Sequence, residues 1–350
     1  MKNQNIKSAL LTLTTLLILL TGSGCRLAYV FHAAAGQFSL LSSAVPIQEG
    51  LEKGDLTPQQ KDRLRLVARV KDYGEKVLGL KETRNYRTVS LKSSRRPIYV
   101  VSASPKDRLA AVTWWFPIVG RMPYLGFFDR TKAEAEANRL KAKDLDVMLG
   151  AADAYSTLGW FEDPVTLNLI EGSTPDLVET LLHEMTHTTL YVKGQPAFNE
   201  GLANLVGKIG CLLFFQENYG PAHPFTLDAE KTMEDERLFS PFLSALLDRL
   251  QRLYGSPLGT RLKLAHREQI FEDAKKAFSG LESRLKTSRF KGFGAGPMNN
   301  AVLMSVGIYH RHYALFESVF EQKGRSLKAM IRFFEERAKE GKDMIEMIKG

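Results

Sequence analysis

Apolar positions recur at helical spacing through most of the second half of the chain, and they gather into short β-branched and aromatic runs in part of the first. From Pro175 onward the pattern predicts a mainly helical region. Breaks fall near Gly220 to Pro224, Gly255 to Pro257 and Gly292 to Pro297, where glycine and proline interrupt the periodicity. Earlier, LAYVFHAAAGQFSLLSSAVPI reads as a helix ending before Pro46. Thr57-Pro58-Gln59-Gln60 combines a capping threonine, a proline at the first helical position and a glutamine at the third, which predicts a helix from Pro58 to about Leu78. Ile98 to Ala103 and Ala110 to Phe116 are predicted strands, with Pro117 and Pro123 breaking the pattern that follows. Thr131 to Glu134 looks like a second capping box, opening a helix to about Lys143. Short strands are expected at Asp146 to Leu149 and at Ala154 to Trp160, the latter ended by the turn Glu162-Asp163-Pro164. Thr174-Pro175 begins the next helix and Gly194 is placed to stop it. The expectation is an α+β protein, mostly helical, with a small β-sheet beside the helix that starts at Pro175 and a helical C-terminal half.

Composition narrows the class. A chain of 350 residues with 44 % hydrophobic composition can bury a substantial core, which excludes disorder. The formal charge of +9 is spread over stretches such as 132–143, 261–276 and 325–349, each interleaved with acids as solvated helix faces are. No aromatic-basic platform accompanies it, so nucleic acid is not an expected partner.

The N-terminus changes the picture more. Two lysines precede an apolar run from Ala9 to Leu20, and Gly22, Ser23 and Gly24 lead into Cys25. That run falls short of the roughly 20 residues a membrane span needs. Residues 1–24 therefore resemble a bacterial lipoprotein signal, cleaved before Cys25 with lipid then attached to its thiol, although Gly22 stands where such signals usually carry leucine. The alternative is an uncleaved anchor helix. Both attach the protein to a membrane of the cell envelope, and Arg26 lacks the inner-membrane retention aspartate, so an outer-membrane site facing the periplasm is expected. Residues 25–350 would then form a single unit in which Cys211 is the one remaining thiol, with no intrachain disulfide.

The chemistry concentrates in LLHEMTHTTLYVKGQPAFNEGLANL, residues 181–205. In a helix, residues four apart are offset by about 40° and 6 Å, so His183 and His187 project from one face and can hold one metal ion. Glu184, about 100° further round, can reach a water beside that ion. Zinc suits imidazole and carboxylate donors and leaves a position for water. Twelve residues separate His187 from Glu200, which lies past a reversal that Gly194 and Pro196 provide and could return as a third ligand. It could equally be a carboxylate favoured by the N-terminal end of its own helix. The alternative for the two histidines is ordinary core packing.

HEMTH followed by FNEGLA, preceded by FPIVGRMPYLGFFD and AYSTLGWFEDP and followed by NNAVLMSVGIYHRHYALFE, resembles the Putative aminopeptidase family of bacterial lipoproteins, within the gluzincin class of zinc peptidases. The resemblance runs through nearly the whole chain. It implies a zincin-like fold, zinc held by His183, His187 and Glu200, and Glu184 as general base, with a peptide as substrate. The chain departs from the pattern in a shorter gap to Glu200 and in lacking another acid near Gly207, a possible support for a ligand. Tyr309, with His310 and His312 as neighbours, is the candidate donor to the developing oxyanion. Tyr155 and Ser156 would line the substrate's path, and Glu162 or Asp163 would receive a free α-amino group. Trp114, Trp115 and Trp160 read as core or cleft wall. The sequence thus predicts a membrane-anchored zinc peptidase acting as an aminopeptidase. The alternatives are a non-catalytic envelope lipoprotein that keeps the fold as a binding module, and a metal hydrolase acting on another bond.

Overall fold

Thr57 opens the first long helix as the capping box requires: its hydroxyl accepts from the Gln60 N–H, and the Gln60 side chain accepts from the Thr57 N–H at 2.9 Å. The computed structural model describes residues 41–53, 55–91, 98–116, 120–152 and 162–350. The expected signal, Cys25 and the strand expected at Ala154 to Trp160, with Tyr155, Ser156 and Trp160, lie outside them. In chain order the first elements are β1 (Ala44–Pro46), α1 (Ile47–Lys53), and α2 (Pro58–Tyr73), which runs into a π turn at Gly74–Leu78. Ala44 and Val45 are extended, where the end of a helix was expected, because β1 pairs with β2 (Thr88–Ser90) in register Val45 to Val89.

A second sheet is built on β3 (Ile98–Ser104). The run expected as a strand from Ala110 is extended only over β4 (Trp114–Phe116), which pairs with β5 (Gly120–Met122) in a separate ribbon. Next come β6 (Leu125–Phe127), α3 (Arg130–Lys141) and β7 (Asp146–Ala152). The second sheet has order β6-β3-β7, antiparallel throughout. Alternation along β3 gives it two faces. Val101 and Ala103 pack with Ala133, Ala137 and Leu140 of α3, while Ile98, Val100 and Ser102 wall a cavity on the other side. α3 is capped by Asp129, whose carboxylate accepts from the Lys132 N–H, and not by Thr131. A carboxylate two residues upstream competes well for that role.

β8 (Val165–Thr166) joins β2 in parallel and leads through α4 (Leu167–Glu171) to α5 (Thr174–Thr189) and α6 (Pro196–Tyr219). Ser173, and not Thr174, caps α5, accepting from the Asp176 N–H. α5 ends at Leu190, short of Gly194, because the chain there turns extended and Asn199 takes both the N–H and the C=O of Val192 at 2.8 and 2.9 Å. Gly194 then makes the reversal at φ +81°. The rest is α7 (Pro224–Gly255), α8 (Thr260–Glu282), α9 (Asn300–His310), α10 (Tyr313–Gln322), α11 (Leu327–Ala338) and α12 (Met344–Lys349), so the helical C-terminal half is as expected.

Three apolar cores result. The largest joins α2, α5, α6, α10, α11 and α12; a second lies between α7, α8 and the start of α9; a third lies under the β3 sheet. α9 packs on α6, α7, β3 and β7 and so stands where they meet. Its position is pinned by a buried knot. Arg267 of α8 grips both carboxylate oxygens of Asp146, which also accepts from the Asn300 N–H at 2.9 Å, and the Asn300 amide donates to the Pro105 carbonyl. The sheet therefore packs on α3 and α9 and faces α5 across the cavity.

α5 and α6 pack closely along their length. A Cβ on Gly207 would stand 2.8 Å from the Glu179 carbonyl and 3.3 Å from the His183 Cβ. The missing side chain lets the two backbones approach at the level of His183, and it leaves no room there for the acid that the family pattern suggested. Gly207→Ala should therefore lower stability by about 1–3 kcal/mol. Gly255→Ala, at a position with nothing within 4 Å, should not. Denaturant midpoints of the two variants check the difference.

Candidate active site

Glu179, His183 and His187 form a stripe at four-residue spacing on α5, opposite the face that buries Leu177, Leu181 and Met185. α6 runs back past that stripe and brings Glu200 to it. The His183 and His187 Nε2 atoms are 3.1 Å apart, and Glu200 Oε2 lies 3.3 Å from the first and 3.4 Å from the second. Three ligands of a tetrahedral ion bound at about 2.0–2.1 Å stand about 3.3 Å from one another. The triangle fits that geometry, and the two imidazoles with one carboxylate suit it chemically. Core packing does not explain two ring nitrogens and an acid turned on a common point.

Electrostatics agree. Burial opposes charge on His187 and Glu200, but each outweighs it for the other, so the His187 imidazole is raised and the Glu200 carboxyl is held far below the usual carboxylate range. Glu200 is thus an anion. Tyr309 approaches from α9, its ring centroid 6.0 Å from that of His183. Burial pushes its hydroxyl well up, with Glu200 and Tyr124 adding to the effect, so it stays protonated and able to donate. Glu184 is half-buried and borders the cavity beside both histidines. That cavity, about 430 Å³, lies between α5, α6 and α9 on one side and the β3 sheet on the other.

Residues not singled out in the sequence hold these groups. Asn199 fixes the reversal one residue before Glu200, and the Gln195 side chain ties the same loop to the Lys342 carbonyl and the Met344 N–H. The Asn204 amide donates to the Tyr309 carbonyl at 3.1 Å. Behind His183, buried Lys208 bonds Glu179 at 2.8 Å and lies 3.5 Å from Glu236, while Arg289 donates to Glu179 and Asp176. Burial raises the Glu179 carboxyl, but Lys208 and Arg289 overcome it and bring it down to about 2. The clue to Glu179 was its place one turn before His183 on the same stripe. The clue to Asn199 was its place beside Glu200.

Other sequence candidates fall elsewhere. His310 Nδ1 is engaged with the buried Glu236 carboxylate at 2.7 Å, on the side of α9 that borders a second cavity. His312 stands at the start of α10 away from both cavities, its pKa lowered to about 4 by burial and by Arg311 and Lys349. Glu162 is exposed and pairs with Arg84, and the backbone of Asp163 bonds Asn85 and Tyr86. Their turn folds onto the 84–87 loop, so neither lines the cavity to receive an amine. Trp114 is core beneath the sheet and Trp115 is exposed.

A family model described as "Putative aminopeptidase" matches residues 28–344. No curated protein and no solved structure matches the chain. The chain belongs to this aminopeptidase family.

The Glu179 cluster makes stability depend on acid. A carboxyl whose folded pKa lies below its ordinary value of 4.5 stabilises the fold fully above that value, and the contribution disappears as pH falls towards 2. On the order of 3 kcal/mol should be lost across this window. Glu179→Gln should be less stable at neutral pH and should show a shallower loss between pH 5 and about 2, read from denaturant titrations at stepped pH.

Proposed function

We propose that the protein is a zinc-dependent peptidase with a zincin-like core, acting as an aminopeptidase. The observation that carries this reading is the triangle of His183 Nε2, His187 Nε2 and Glu200 Oε2 at 3.1–3.4 Å beside a cavity that Glu184 and Tyr309 border. Membership of an aminopeptidase family supports peptides as the substrate class.

Zinc bound to those three residues supplies Lewis acidity towards a carbonyl and lowers the pKa of a water molecule. The remaining work belongs to the chain. Glu184, one residue round the helix from His183, accepts the proton of the attacking water and returns it to the departing amine. Tyr309, kept protonated by its burial, donates a hydrogen bond to the carbonyl oxygen as negative charge builds there. The apolar cavity walls exclude bulk water and strengthen both interactions.

The apolar run Ala9 to Leu20 and the small residues before Cys25 support a further part of the proposal: the chain is exported and held in the cell envelope by lipid on Cys25, facing the periplasm from an outer membrane. Changing Cys25→Ser should move the protein from the membrane fraction to the soluble fraction of fractionated cells.

The central test pairs metal analysis with kinetics. The purified protein should carry near one zinc per chain, and Glu200→Ala should lose most of it. Glu184→Gln should keep the metal while kcat falls by about 100-fold or more. Wild-type activity in Glu184→Gln, or a wild-type protein without metal, would overturn the reading. Comparison of free and N-blocked peptides tests the aminopeptidase assignment, since only unblocked peptides should be cut.

A further inference from the structure

Two cavities flank the reacting groups, and His183, Glu184 and Tyr309 border both. They differ in chemistry. The second, about 590 Å³, is bordered by the paired charges Glu179, Lys208 and Arg289 together with Lys291 and His310. The first is bordered on its sheet side by Ile98, Val100 and Met148 and on its helix side by Met304 and Ile308. Among the described residues around it, Glu184 and Glu200 are the only formally charged side chains apart from the two histidines, and these already have roles. Its two serine hydroxyls, Ser102 and Ser305, hydrogen-bond each other at 2.7 Å.

From this we infer that the first cavity is the specificity pocket for a large apolar side chain on one residue flanking the scissile bond, and that it rejects charged side chains there. The inference rests on the peptidase reading of the adjoining metal triangle. An apolar side chain entering the pocket exchanges water for methyl, methylene and thioether contacts. A lysine or glutamate side chain would be stripped of water with no free counter-ion among the described walls, which is strongly unfavourable. Two glycines keep the sheet side open. Gly126 and Gly150 stand on β6 and β7 at the cavity, and a Cβ on Gly150 would meet only the flexible end of Met148, at 3.1 Å. Depth is therefore set by what is missing from that wall.

The experiment uses the full chain with its metal content measured. Peptides carrying Leu, Ala, Lys or Glu at either position flanking the scissile bond are compared by kcat/KM. At one position Leu should exceed Ala by about 10- to 100-fold and exceed Lys and Glu by at least about 100-fold. Gly150→Leu fills the pocket with an uncharged side chain and should abolish the advantage of Leu over Ala. Met304→Asp supplies a counter-ion and should raise the Lys peptide relative to Leu. Equal cleavage of all four peptides at both positions would overturn the pocket and leave the peptidase reading standing. If no peptide is cut, calorimetric binding of the same peptides to Glu184→Gln judges the pocket separately: preferential Leu binding that Gly150→Leu removes supports it, and equal or absent binding overturns it.

Discussion

Everything at this site depends on how closely two helices approach. α5 carries two histidines that can share an ion, but two ligands do not make a stable centre. The third reaches them because α6 returns antiparallel to α5 with glycine at the point of contact, where a single added carbon would meet a backbone oxygen at 2.8 Å. The reversal is as tightly held as the contact. Asn199 replaces a missing strand partner for Val192, so Glu200 follows from a loop whose backbone polar groups are already satisfied.

Close approach also encloses charge. Glu179, Lys208, Glu236, His310 and Arg289 form a chain of ion pairs behind His183 that links α5, α6, α7, α9 and the segment before α9. Burying such groups is costly unless they are paired, and here Glu179 is paired with both Lys208 and Arg289, and Glu236 with both Lys208 and His310. The network therefore resists small displacements of the elements that carry His183 and Tyr309. The Asp146, Arg267 and Asn300 knot does the same for the other end of α9, where it meets the sheet.

Helical periodicity made most of the architecture legible, because long amphipathic segments such as α5 and α7 carry their own signal. Ends were read less well: Ser173 and Asp129 cap their helices one or two residues before the residue pattern placed them, since any nearby hydroxyl or carboxylate competes for the same N–H groups. β5 and β6 escaped notice because three-residue strands containing Gly120 and Gly126 show no alternation. The triad His183, His187 and Glu200 could be read from one continuous stretch. Glu179, Lys208 and Glu236 could not, because each looks like an ordinary helix-surface charge until tertiary packing brings them together. Glu162 and Asp163 show the converse: acids close to the motif in sequence fold onto a different loop.

The hydrogen bond between Ser102 and Ser305 joins residues 203 apart in sequence, whereas His183, His187 and Glu200 sit within one helical hairpin. The reactive part of the site is thus a local structure, and its walls are assembled from the two distant ends of the fold. Closing a loop of that span costs more chain entropy than closing the hairpin. The three clustered side chains come from one stretch of the chain and the cavity walls beside them from others, so the walls can vary in sequence independently of the triad.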